Sequence, residues 1–131
     1  MASILAIDYG EKRIGLALAS REARLASPYQ TLPNDEHFQE HLRGLIEKEG
    51  VERLLVGLPR SLEGNDTPQT TEARQFAATL EKLGLPVELR DEALTSVKAR
   101  EELEARRKPY KKGDIDALAA TYILEDYLRE L

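Results

Sequence analysis

Apolar residues dominate two short segments near the start of the chain, within SILAIDYGEKRIGLALAS at positions 3 to 20. The runs at 4–8 and 13–19 predict two strands, and their incomplete alternation is typical of strands that are covered on both faces. The connection YGEK is a tight turn in which we expect Gly10 to take a positive φ. A third strand is predicted between Arg24 and Thr31, interrupted near Pro28, so the chain should begin with a meander.

Helical spacing begins after the third strand. We expect Asn34 to cap a helix that ends at Gly50. The apolar residues of this helix recur every three to four positions: Phe38, Leu42, Leu45 and Ile46. Residues 53–57, in the run ERLLVGLP, then predict a short buried strand.

A second helix is predicted to open at Thr67 and Pro68, because proline is favoured in the first helical turn. It should stop at Gly84. The run VELRDE at 87–92 predicts the fifth strand.

The last third of the chain should be mostly helical. A third helix is predicted over 95–108, a basic loop over 107–113, and a C-terminal helix that Gly113 or Asp114 caps. The resulting order, βββαβαβαα, predicts an α/β fold with a mixed five-stranded sheet: an antiparallel meander, then parallel βα units, flanked by helices. We expect a single domain over residues 1–131.

Composition restricts the chemistry. The chain has 131 residues and no cysteine, which excludes disulfides and thiolate metal sites and favours oxygen ligands for Mg²⁺ or Mn²⁺. Its apolar runs are shorter than the roughly 20 residues that cross a bilayer, and no apolar leader opens it. We therefore expect a cytoplasmic protein without a membrane partner.

Charge is unevenly distributed. The net charge of −5 argues by itself against a nucleic-acid partner. Between positions 96 and 113, however, there are only three acids but seven basic residues. The basic residues are Lys98, Arg100, Arg106, Arg107, Lys108, Lys111 and Lys112. Cations bound to acidic residues would also reduce the net negative charge. A nucleic-acid partner is therefore compatible with the sequence.

Three acids are predicted to meet at one edge of the sheet. Asp8 ends the first strand, Glu92 ends the last, and Asp116 lies in the first turn of the final helix. The carboxyl ends of parallel strands form the usual crevice for chemistry, and clustered carboxylates require a cation such as Mg²⁺ or Mn²⁺. Each acid also has a structural alternative. Asp8 could accept hydrogen bonds from backbone amides of the following turn, and Glu92 could contact Arg90. Asp116 could stabilise its helix through the helix dipole.

Four ordered segments resemble one family. AIDYGEKRIGLA resembles the D-x-G-x-x-R-I-G start of the YqgF or RuvX family, LLVGLPRSLEG its G-L-P loop, RDEALTS its D-E-R-x-T-T segment, and DIDALAATYIL its D-x-x-A-A helix. Members of this RNase H-like family are named as Holliday junction resolvases or as pre-16S rRNA nucleases. The resemblance covers essentially the whole chain.

The resemblance implies roles for individual residues. Asp8, Glu92 and Asp116 would be the catalytic, metal-binding acids. Arg13, Thr95 and the loop 57–64, which includes Arg60, would shape the site or contact the nucleic-acid backbone. Apart from the resemblance, the position of the basic residues before Asp116 predicts that they hold substrate phosphates next to the metal ions, although the run 106–112 could instead be a solvated loop without a partner: Lys98, Arg106, Arg107, Lys108, Lys111 and Lys112.

The chain departs from the family pattern at two positions. Ala93 stands where arginine is usual, and Ser96 where threonine is usual. Many RNase H-like nucleases also use a fourth carboxylate. Asp91 and Asp114 are the near candidates for it in the sequence.

These observations predict a metal-dependent nuclease that acts on structured nucleic acid. The resemblance implies, as the first expectation, processing of the 5′ end of pre-16S rRNA in ribosome biogenesis. Cleavage of four-way DNA junctions is the alternative, and it would require a homodimer that cuts two strands symmetrically. A non-catalytic nucleic-acid-binding or ribosome-assembly module is the alternative of another class.

Overall fold

A five-stranded sheet with helices on both faces forms the protein. The computed structural model describes residues 2–61, 63–92 and 95–131, without the side chains of 95–97. A 3₁₀ turn, Glu81–Leu83, follows the second helix. The strands and helices are, in chain order, β1 (Ser3–Tyr9), β2 (Arg13–Ser20), β3 (Ser27–Pro33), α1 (Phe38–Glu49), β4 (Val51–Pro59), α2 (Pro68–Leu80), β5 (Val87–Glu92), α3 (Thr95–Ala105) and α4 (Lys112–Arg129).

The order of strands in the sheet is β3-β2-β1-β4-β5. The first three strands pair antiparallel, whereas β4 pairs parallel with both β1 and β5. The helical crossovers between β1 and β4 and between β4 and β5 allow this parallel pairing. The predicted mixed sheet is therefore confirmed, with β1 at its centre.

Alternation along the strands divides the core between two faces. On one face, α1 and α2 cover the larger apolar side chains, including Leu5, Ile7, Leu54 and Val56. The opposite face carries smaller residues, and α4 packs on it through Ala120, Ile123, Leu124 and Leu128 against Ile4, Ala6, Ala17, Ala19 and Leu55. The alanines on this face let α4 lie close to β1, which carries Asp8, and to β2.

Helix α3 packs on the outer side of α4. Ala99 and Leu103 meet Ile115, Leu118 and Ala119 in a separate apolar cluster. No helix within the described part of the chain has the length and apolar character that a membrane crossing requires.

Two expectations about the first turns are wrong. Asn34 does not cap α1, which begins after His37; its side-chain amide donates to the carbonyls of Gly10 and Glu11 and so ties the β1–β2 turn to the end of β3. Gly10 does not have a positive φ. Glycine is required at position 10 for steric reasons, because a Cβ there would lie 2.4 Å from the carbonyl oxygen of Arg13.

Several predicted boundaries also differ from the observed ones. Strand β3 begins three residues later than predicted, and the register shifts where Pro28, which has no N–H to donate, pairs with Ala17 on this edge strand. Helix α3 ends at Ala105 instead of residue 108. Helix α4 begins at Lys112 with Lys111 as its N-cap, and Asp114 accepts a hydrogen bond from the Lys111 backbone N–H at 2.9 Å.

Candidate active site

Asp8 lies on the α4 face of the central strand. It follows Ile4 and Ala6, which lie in the core cluster under α4, and period-two alternation places its side chain on the same face. Only 7% of the residue is exposed. The last apolar position of β1 on this face is thus replaced by an acid, and burial of a charged group needs a compensating partner.

Gly15 brings Asp116 to Asp8. This glycine is the cross-strand partner of Asp8 on β2. A Cβ at Gly15 would lie 2.2 Å from the backbone carbon and oxygen of Asp116 and 2.7 Å from the nitrogen of Ala117. The first turn of α4 therefore rests directly on the β2 backbone, at the level where Asp8 leaves β1.

Gly57 makes the corresponding space on the other side of β1. A Cβ at Gly57 of β4 would lie 2.6 Å from Oε2 of Glu92 and 2.5 Å from Cδ1 of Ile123. Glu92 is the last residue of β5 and pairs with Pro59 at the end of β4. A side chain at position 57 would occupy the space that the Glu92 carboxylate uses.

The three acids line one open cleft of about 260 Å³, which we call the acid cleft. Its other walls come from the β1–β2 turn, the end of β4 and the start of α2. The full lining is Asp8, Tyr9, Gly10, Glu11, Pro59, Gln69, Glu72, Glu92 and Asp116. The structure thus brings the three predicted acids to a common cavity.

Two of the lining acids were missed by the sequence reasoning. Glu11 lies in the β1–β2 turn and Glu72 in α2, and both residues are exposed. Neither differs in its sequence context from a solvated surface acid. Asp91 and Asp114, the candidates for a fourth carboxylate, do not line the acid cleft: Asp91 pairs with Arg60 at 2.9 Å, and Asp114 bonds the start of α4.

Electrostatics single out Asp8. Burial raises the pKa of Asp8 well above its usual range, and the charge of Glu92, a side-chain hydrogen bond with Glu92 and the charge of Asp116 raise it further. Burial also raises the pKa of Asp116, while the hydrogen bond and charge of Arg13 act in the opposite direction. Arg13 Nε donates to Asp116 Oδ2 at 2.8 Å.

The donors of the acid cleft suit a hard divalent cation. Carboxylate oxygens are the ligands that Mg²⁺ and Mn²⁺ take, and a cation would relieve the repulsion that raises the Asp8 pKa. Within residues 2–61, 63–92 and 95–131, no three histidine or acidic side chains are already arranged to hold an ion. Asp8 and Glu92 share a hydrogen bond instead, and Asp116 pairs with Arg13.

Most of the predicted phosphate-binding residues flank the start of α4. Arg106 and Lys108 line a cavity of about 250 Å³ beside Tyr110. Arg13, Lys111 and Lys112 line an adjoining groove of about 570 Å³ along β3, which we call the basic groove.

The remaining predicted contacts lie elsewhere or are not described. Arg60 forms ion pairs with Asp66 and with Asp91 of β5, at 2.6 and 2.9 Å, so two acids of this protein already balance its charge. The Lys98 ammonium lies 5.0 Å from the ring centre of Tyr122 on α4. Arg107 is exposed and adopts a positive φ of 55°. Ala93 and the side chains of Thr95 and Ser96 lie outside the described residues.

A sheet of order β3-β2-β1-β4-β5, with three antiparallel strands, two parallel additions and helices on both faces, has the RNase H-like fold. T. thermophilus RuvC, solved in complex with a Holliday junction substrate, shares the fold with a TM-score of 0.60 at 13% sequence identity, over 99% of this chain and 95% of that one.

The chain belongs to the RuvX family, whose model, described as Holliday junction resolvase, matches residues 2–130. A Chloroflexus aurantiacus protein named "Putative pre-16S rRNA nuclease" is 44% identical over 131 residues, covering 95% of this chain and 85% of the relative. A Maridesulfovibrio salexigens protein of the same name is 41% identical over 133 residues, covering 95% and 96%. The family membership predicted from four sequence segments is confirmed.

Proposed function

We propose that this protein is a divalent-metal-dependent endonuclease that cuts structured nucleic acid, with the 5′ end of pre-16S rRNA as its first candidate substrate. The observation that carries the proposal is the buried Asp8, hydrogen-bonded to Glu92 in a cleft that Asp116 also lines. A buried carboxyl next to a second carboxyl is costly in a folded protein, and such arrangements are characteristic of functional sites.

Asp8, Glu92 and Asp116 would hold the cation, for which Mg²⁺ and Mn²⁺ are the candidates. When bound, such a cation activates water for attack on phosphorus and neutralises charge on the leaving oxygen. Asp8 supplies the most rigid ligand, because β1 is bonded to β2 on one side and to β4 on the other. Glu11 and Glu72, on the walls of the acid cleft, would be available to a second cation.

The basic side chains beside α4 support a nucleic-acid substrate. Arg106 and Lys108 line one cavity, and Lys111, Lys112 and Arg13 line the adjoining basic groove. Arg13 also contacts Asp116 of the acid cleft. A backbone that followed these cations would bring a phosphate to the acids. Contacts of this kind position the substrate without reading its sequence, which fits recognition of a folded RNA by shape.

RNA processing is placed first because the curated relatives at 44% and 41% identity carry the name of a pre-16S rRNA nuclease. The family description favours a four-way DNA junction as the second candidate. A non-catalytic nucleic-acid-binding or ribosome-assembly module is the third candidate.

One side-by-side assay separates these functions. Purified wild type, Asp8→Asn and Asp126→Asn are incubated with Mn²⁺ and either a precursor 16S 5′ end or a mobile four-way junction. Asp126 is the matched control, because it lies in α4 but is paired with Arg129 on the surface. We expect the wild type and the control to cut the RNA and Asp8→Asn to be inactive.

Each other outcome has a definite meaning. Faster cleavage of the junction, together with a two-to-one protein–junction complex, would favour the symmetric resolvase. Binding without cleavage of either substrate would favour the module. Equal residual cleavage by wild type and Asp8→Asn would assign the activity to a contaminant and refute the proposal.

A further inference from the structure

Arg13 stands between the acid cleft and the basic groove. It is the first residue of β2, its Nε donates to Asp116 Oδ2 at 2.8 Å, and its side chain is 39% exposed. The Asp116 side chain is only 17% exposed, so Arg13 Nε makes its contact on the protein side of the arginine. Part of the Arg13 side chain remains accessible to solvent.

The accessible side of Arg13 faces the basic groove. Lys111 and Lys112 line this groove together with Thr31, whose hydroxyl donates to the carbonyl of Gly113 at 2.6 Å and fixes the start of α4 to β3. Asp114 also lines the groove, but its carboxylate accepts from the Lys111 backbone N–H. The lining of this space of about 570 Å³ therefore contains three cationic side chains and one acid, which is already hydrogen-bonded.

We propose that Arg13 couples phosphate binding to metal binding: it holds Asp116 in the free protein and transfers to a backbone phosphate in the basic groove, which releases Asp116 to the divalent cation. The proposal rests on the function proposed above. It adds a positioning role for Arg13 and a phosphate-binding role for the basic groove.

Charge explains why the two partners of Asp116 compete. Arg13 is permanently protonated, and its guanidinium repels any dication that approaches the same carboxylate. A phosphate offers two oxygens to the guanidinium fork, as a carboxylate does, so the transfer exchanges one charge-assisted contact for another. The cation then gains its third ligand only when substrate is present, which limits metal loading of the empty site.

The first test measures Mn²⁺ affinity by calorimetry, with the metal alone and no nucleic acid. Arg13→Gln frees Asp116, and we expect it to bind Mn²⁺ about tenfold more tightly than wild type, within the usual range of coupling between sites. Arg21→Gln is the matched control, because Arg21 follows the other end of β2, is 64% exposed and pairs with Glu52 at 3.4 Å. Its Mn²⁺ affinity should equal that of wild type.

A second measurement needs no variant of Arg13. In ¹⁵N-labelled wild type, a non-cleavable RNA duplex should shift the Arg13 Nε–Hε resonance, because the hydrogen bond to Asp116 breaks. Saturating Mg²⁺ alone should leave that resonance in place, and the Arg21 resonance should not move with either ligand. An Arg13 signal that does not move when the RNA duplex binds would overturn the proposal. Equal or weaker Mn²⁺ binding by Arg13→Gln would overturn it as well.

Asp8→Asn separates this inference from the proposed function. If Asp8→Asn abolishes Mn²⁺ binding but Arg13→Gln leaves it unchanged, only the coupling role of Arg13 fails. If Asp8→Asn binds Mn²⁺ as the wild type does, or if the wild type binds none, the metal site itself is wrong and the inference falls with it.

Discussion

Replacing Asp8 with asparagine should stabilise the metal-free protein, and the gain should grow with pH. Asp8 is 7% exposed, and its carboxyl shares a hydrogen bond with Glu92. Asparagine has nearly the same shape, carries no charge and can donate to Glu92. The substitution therefore removes a buried like-charge repulsion without leaving a cavity.

The sign follows from the direction of the Asp8 pKa, which folding raises from a usual value of 3.8, chiefly by burial. Below that value Asp8 is protonated in both the folded and the unfolded state, and its contribution to the free energy of unfolding is fully present. Above it the unfolded chain loses a proton that the folded protein keeps, so the free energy of unfolding falls by about 1.4 kcal/mol per pH unit. The fall ends where the pH passes the pKa of the folded state.

Coulomb energy gives the scale of the repulsive part of the effect, to which the lost hydration of the buried carboxylate adds. Two unit charges roughly 4 Å apart repel by about 4 kcal/mol at an effective dielectric constant of 20. The difference in unfolding free energy between Asp8→Asn and wild type should therefore rise with pH and then level off, and the repulsion should contribute on the order of 4 kcal/mol to it. Added Mn²⁺ should narrow this difference, because only the wild type gains the binding energy, about 2.7 kcal/mol at a hundred times the Kd.

Urea denaturation in EDTA, from about pH 4.5 to about pH 8.5, measures this difference. Asp126→Asn is the control; its carboxyl is 58% exposed, and the substitution should give no comparable rise with pH. If Asp8→Asn and wild type differ by the same amount at every pH, or if the wild type is the more stable at high pH without metal, Asp8 is not held against Glu92 in a buried pair.

Two further substitutions test how the site is built and how it binds. Gly15→Ala should cost about 1–3 kcal/mol of unfolding free energy and weaken Mn²⁺ binding, because its Cβ would overlap the Asp116 backbone, whereas Gly44→Ala, with no atom within 4 Å of its Cβ, should be neutral or stabilising in the same urea assay. Neutralising all three basic residues at 106–108 should weaken RNA binding equally across sequences. The slope of log K against log salt concentration should become shallower by up to about 0.9 for each phosphate that the protein no longer neutralises. An unchanged slope in a filter-binding titration would place the RNA-binding surface elsewhere.

Asp8, Glu92 and Asp116 were predictable because topology is a strong constraint. An acid at the end of an apolar strand run, another at the end of the last strand and a third at the start of the last helix must meet once the sheet order is right. The residues that complete the cleft could not be predicted. Glu11 and Glu72 are ordinary exposed acids along the chain, and only the packing of the turn and α2 brings them to the cleft.

Local signals failed where one residue type serves two purposes. Asparagine is favoured both at helix N-caps and in turns, and at Asn34 the tertiary contact with the β1–β2 turn prevailed. Lysine is not a typical N-cap, so nothing in the sequence marked Lys111 as the start of α4. The bond between Arg13 and Asp116 joins residues 103 positions apart, which no periodicity can reveal.

The most direct test of the account is the position of manganese in crystals of this protein grown or soaked in Mn²⁺ and measured at the manganese absorption edge. We predict an anomalous peak within coordination distance of the carboxylates of Asp8 and Glu92, with Asp116 joining them when a backbone phosphate is present. An acid cleft without an anomalous peak at saturating Mn²⁺, or a peak bound only at surface acids, would contradict a metal-dependent nuclease.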